Sequence, residues 1–126
     1  MMRGLVLCAL ALAALAGPAT AGEACIVPFS PTIPNGATAT RDQILNTRDL
    51  VTAFIKASDD YQSCLNLYLQ QQEEAAQRSR EPVDPAIKAG ILAKGEANQR
   101  EKVRVGDEFN IAVRAFNTAQ APAPEN

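Results

Sequence analysis

TRDQILNTRDLVTAFIKASDDYQSCLNLYLQQQEEAAQRSR, residues 40–80, runs for 41 residues without a glycine or a proline. Apolar side chains recur along it at helical spacing. Leu50, Phe54, Ala57, Tyr61, Cys64 and Tyr68 follow one another in steps of four and three, the stripe that an α-helix turns toward a partner. A shorter stripe of Val51, Ile55, Leu65 and Leu69 runs beside it. Two adjacent stripes let one helix pack against two things at once, and a cysteine in the first points to a covalent tie. The start is signalled by Thr40 as N-cap with Gln43 at N3, a capping box, and by Asp42 in the electropositive first turn.

Upstream the composition changes sharply. Prolines at 28, 31 and 34 fix φ and push their predecessors toward extended backbone, so residues 22–39 read as a polyproline-like arm. Ile26, Val27, Phe29 and Ile33 make this arm apolar, as expected of a segment that lies on something. Pro34-Asn35-Gly36 reads as a tight turn in which Gly36 takes positive φ. An arm folded back along the helix brings Cys25 within reach of Cys64 and lays Ile26, Phe29 and Ile33 over one of the two stripes. Closing that loop contributes on the order of 3–4 kcal/mol by restricting the unfolded chain.

Downstream, Pro82 stops the first helix, while Asp84 as N-cap with Pro85 at N1 starts another. So short a linker predicts a second helix that turns back antiparallel, over about 85–119. Its pattern is less regular. Ile87, Ile91 and Leu92 form one apolar cluster and Val105, Phe109, Ala112, Phe116 and Ala119 another, with an almost wholly polar stretch, 94–102, between them. Gly90, Gly95 and Gly106 each cost roughly 0.5–1 kcal/mol relative to alanine. They read either as room for a bulky partner such as Tyr61 or Tyr68, or as a kink. Pro122 and Pro124 close the chain in a short tail, 122–126.

The chain opens with Arg3, an apolar run from Leu5 to Ala16 and the small-x-small triplet Ala19-Thr20-Ala21, which together read as a signal peptide cleaved after Ala21. The run is shorter than the roughly 20 residues that a spanning helix needs, so no membrane anchor is expected after cleavage. Without Arg3 there are 11 Lys and Arg against 14 Asp and Glu, a net charge of −3. That is neither a nucleic-acid footprint nor a basic face for an anionic membrane. Removing Cys8 with the leader leaves Cys25 and Cys64. In an exported chain an even pair most often means an intramolecular disulfide, with an intermolecular bridge or a reactive thiol as the alternatives.

Histidine is absent, which removes the usual neutral-pH base and the commonest metal ligand. No phosphate loop, nucleophile–base pair, CxxC or metal-ligand spacing occurs, so no catalytic residue, cofactor or metal is assigned. Asp59-Asp60 is an adjacent carboxylate pair in this helix. Neighbouring helix residues point about 100° apart, so it reads as a solvated face. The residues put forward for interaction are Tyr61 and Tyr68, beside Cys64, and Phe109, Asn110, Arg114 and Phe116 on the second helix. Asn110, Asn117 and Arg114 are expected to bond the arm's carbonyls or a partner.

Cys25-x-x-Pro28, Ile33-Pro-Asn-Gly-Ala37, Thr40, Tyr61-x-x-Cys-Leu65 and Phe109-Asn-x-x-Val-Arg-Ala-Phe-Asn117 together resemble a group of small secreted proteobacterial proteins. The resemblance implies an exported helical protein with a paired Cys, and transfers no activity. The expected fold is all-α: a long antiparallel helical hairpin with an N-terminal proline-rich arm strapped to the first helix by Cys25–Cys64. Two helices and an arm bury little core per residue. The expected role is therefore a non-enzymatic interaction or accessory module in the periplasm or outside the cell, with an envelope protein partner or itself as partner. The alternatives are a homodimeric four-helix bundle around a small apolar ligand, or an enzyme or thiol-redox protein, which requires a reactive Cys64.

Overall fold

The computed structural model describes residues 25–124; the leader and cleavage site expected at the N-terminus lie outside the described residues. The chain is an antiparallel helical hairpin of α1, Arg41–Ser79, and α2, Pro85–Gln120. At 1.5 Å per residue the helices are roughly 58 and 54 Å long. The capping box forms at Thr40: its hydroxyl accepts from the Gln43 backbone N–H at 3.2 Å, and its own N–H donates to Gln43 Oε1 at 2.8 Å. α1 ends at Arg80 in left-handed backbone, φ 58°. Arg80 N–H bonds the Gln77 carbonyl and Glu81 N–H the Ala76 carbonyl, a Schellman closure carried out by arginine where glycine is usual. Asp84 then caps α2 by accepting from Ala86 N–H at 2.8 Å, with Pro85 behind it.

The buried line of α1 is Ile44, Thr47, Val51, Phe54, Ser58, Tyr61 and Leu65, and that of α2 is Ile91, Asn98, Val105 and Ala112. The first steps by three and four, the second by seven. This is the seam of two helices packed along their lengths. It differs from the expected stripe. Leu50 is 49% exposed and Ala57 is exposed, while Val51, Ser58 and Leu65 take the inner positions. The stripe was traced on apolar residues alone, and two inner positions, Thr47 and Ser58, are hydroxyls. Thr47 satisfies its own by donating to the Gln43 carbonyl at 2.7 Å. On α2, Ile87 and Leu92 of the first expected cluster are exposed and only Ile91 is buried.

The core has two apolar clusters. Cys25, Tyr61, Leu65 and Ile91 form one, with Cys64, Tyr68 and Leu69 packed against it. Val51, Phe54 and Val105 form the other, flanked by Ile33 and Phe109. A polar layer divides them. Asn98 Nδ2 donates to Ser58 Oγ at 3.2 Å, and Gln62 Nε2 donates to Asn98 Oδ1 at 2.8 Å. Ser58 is completely buried.

The arm lies back along the hairpin as expected, but not with the expected side inward. Ile26 and Phe29 are 85% and 91% exposed, and of the three residues assigned to cover a stripe only Ile33 packs on the core. The reason is the period of three that proline imposes. Cys25, Pro28, Pro31 and Pro34 form the covered line, which leaves Ile26, Phe29 and Thr32 on the outer one. The turn at Asn35 is closed by its side chain, which accepts from Ala37 N–H at 3.0 Å. No described glycine has positive φ. Gly36 is needed for a different reason: a Cβ there would overlap the backbone carbonyl of Ala112. Gly90, Gly95 and Gly106 have no atom near the place of a Cβ, and α2 is one helix through all three. They accommodate neither Tyr61 nor Tyr68.

Candidate functional site

Cys25 and Cys64 form a disulfide with Cα atoms 5.7 Å apart. It joins Cys25, near the start of the arm, to the middle of α1. Tyr61, one turn before Cys64, is buried against Cys25, while Tyr68, one turn after it, is half-buried. The disulfide, both tyrosines and Ile91 of α2 therefore meet in one place.

The interaction residues put forward on α2 do not join them. Phe109 packs beside Val51, Phe54 and Ile33 in the other cluster, and Phe116 is half-buried one further heptad along. Asn110 and Arg114 are exposed. Their side chains, like that of Asn117, make no hydrogen bond to the described residues of the arm. The arm's polar tie to α2 comes from Ser30, whose hydroxyl donates to Glu101 Oε1 at 2.6 Å. Sequence reasoning had passed over Ser30, Ser58, Asn98 and Glu101. A signal for Asn98 existed, since it stands seven residues from both Ile91 and Val105.

Glu101 also accepts from Arg104, which reaches on to Glu108 at 2.7 Å. Arg104 first, and Ser30 second, hold the Glu101 carboxyl down to about 2. The same pairings, Glu101 before Glu108, raise Arg104 further above its already high value. The adjacent Asp59 and Asp60 part company: Asp59 pairs with Lys102 across the hairpin and Asp60 with Lys56 on its own helix. Near the bend, Lys88 of α2 meets Glu73 of α1 at 3.5 Å. Most of these groups are solvent-exposed, and such pairs contribute little to stability.

The arm makes no backbone–backbone hydrogen bond over residues 25–34 among those described. Its outer line, Ile26 and Phe29, together with Val27 at 70% exposure, is the most exposed set of large apolar side chains among the described residues. Covalent anchoring at Cys25 and close packing at Gly36 fix both ends of this span. The result is a pre-ordered apolar ridge rather than a free tail. Among the described residues no three acidic, Cys or His side chains gather to hold a metal ion, and no helix is long and apolar enough to cross a membrane. No family model matches the chain, and no curated protein or solved structure is significantly similar to it.

Proposed function

We propose that this chain is exported, matures by cleavage after Ala21, and works in the periplasm or outside the cell as a non-enzymatic interaction module whose strapped arm is its recognition element. The observation that carries this reading is the exposure of Ile26, Val27 and Phe29 on a span fixed at both ends. Contiguous exposed apolar side chains favour a site of association. A segment already ordered by a disulfide loses less conformational freedom when it binds. The disulfide itself fits an oxidising compartment.

A photoreactive amino acid placed at position 29 of the exported protein tests the proposal. A discrete adduct is expected from position 29, absent from position 49 on the exposed face of α1, and lost when Ile26→Ser is added. Adducts of equal yield from positions 29 and 49 would remove the arm from the function. The reading of the chain as a homodimeric bundle around an apolar ligand is supported by exposed Leu50, Ile55, Val103 and Ile111 along the helices. It predicts a dimer by light scattering and a melting temperature that rises with protein concentration.

A further inference from the structure

Between the arm and α2 lies an open cleft of about 290 Å³, near the small end of ligand-binding sites. Val27 and Pro28 form its arm side and Ala97 its helix side, so its walls are apolar. Its polar groups divide into used and unused. Asn98 has both amide ends engaged, by Ser58 and Gln62. Ser30 donates to Glu101, whose carboxylate is further bound by Arg104. Two groups are left. Tyr61 is only 5% exposed, yet its hydroxyl bonds to no described residue. No buried side-chain polar atom among those described is unpaired, so this hydroxyl is not sealed in, and Tyr61 is one of the residues that line the cleft. Lys94, on the rim, pairs with no described carboxylate.

Both unused groups are donors and one is a cation. Over apolar walls they ask for an acceptor carrying negative charge on a small apolar body. We propose that this cleft binds a small monocarboxylate with a flat apolar body, its carboxylate held between the Tyr61 hydroxyl and the Lys94 ammonium, its body against Val27, Pro28 and Ala97. Glu101 stands nearby, and its charge is offset by Arg104, so it limits affinity without excluding an anion. The site needs only one copy of the chain and shares Val27, but neither Ile26 nor Phe29, with the exposed ridge of the arm.

The test is an amide chemical-shift titration of the oxidised protein with phenylacetate and, in parallel, with phenethylamine, a similar aryl body of opposite charge. A ligand of this size in an open cleft binds with Kd on the order of 1 mM. Saturable shifts at Val27, Ser30, Tyr61 and Ala97 are expected with phenylacetate and not with phenethylamine. Tyr61→Phe removes one hydrogen bond and keeps the ring, so affinity falls about fivefold to tenfold. Lys94→Gln alters only the surface and lowers affinity about fivefold, in a way that added salt reproduces on the parent protein. Shifts that stay linear, equal response to acid and amine, or undiminished affinity in either variant would overturn the assignment.

Discussion

The glycines of this chain show that one residue type answers to different demands. Gly36 has ordinary backbone and is required by contact, because any side chain would enter the Ala112 carbonyl of α2. Backbone cannot rotate aside as a side chain does, so Gly36→Ala must lift the arm from the hairpin. A loss of about 2 kcal/mol is expected from overpacking, read as a lower urea midpoint. Gly90 and Gly106 face open space, and alanine there restricts the unfolded chain without a clash. Each substitution should raise stability by roughly 0.5–1 kcal/mol. A melt in which Gly36→Ala is neutral, or in which the helix glycines prove costly, would contradict the packing described. At this scale the sequence misleads, because a turn dipeptide announces Gly36 as a matter of φ. What it meets lies 76 residues further along the chain.

At the scale of elements, the helices, their caps and the bend were legible for local reasons. Thr40 with Gln43, and Asp84 with Pro85, act within one turn of themselves, and so can be read without knowing the fold. Which face is buried was less legible, because the inner line mixes apolar residues with Thr47, Ser58 and Asn98. A polar side chain counts as interior only when its partner on the other helix is known. The Ser58–Asn98–Gln62 layer also separates two apolar clusters that would otherwise tolerate sliding by a heptad. Asn98→Ala is expected to cost about 1–3 kcal/mol, since it strands the fully buried Ser58 hydroxyl, while the Gln62 amide keeps Gln99 as a partner. Adding Ser58→Ala to Asn98→Leu should recover most of that loss while relaxing helix register. Denaturant midpoints give the first effect; distances between spin labels on α1 and α2 give the second. The arm's inner and outer lines were hidden in a similar way. Its apolar residues suggested what it buries, whereas its prolines decide it through their spacing of three.

For the whole molecule, a thin hairpin with two small clusters has little reserve, and the disulfide is a large share of what holds it. Reduction should lower stability on the order of 3–4 kcal/mol by the chain-entropy account, seen as a shift of the denaturant midpoint on adding a thiol reductant. Cys64→Ser should match the reduced protein. Equal midpoints for oxidised and reduced protein would mean that the arm holds by packing alone.

The same bond also decides how the molecule comes apart. In covalent terms residues 25–64 form a closed ring, and α2 hangs from it by a single thread through the bend at 80–84. A cut anywhere between Cys25 and Cys64 opens the ring but releases no piece, because the bridge still joins the two halves. One cut at the bend instead frees α2 as a separate peptide, held by non-covalent contacts alone: the seam, the cross-hairpin ion pairs, the packing of the arm at Gly36 and the Ser30–Glu101 contact. The exposed ridge of the arm stays with the ring, whereas the walls of the cleft, Val27 and Pro28 on one side and Ala97 on the other, then belong to two different molecules.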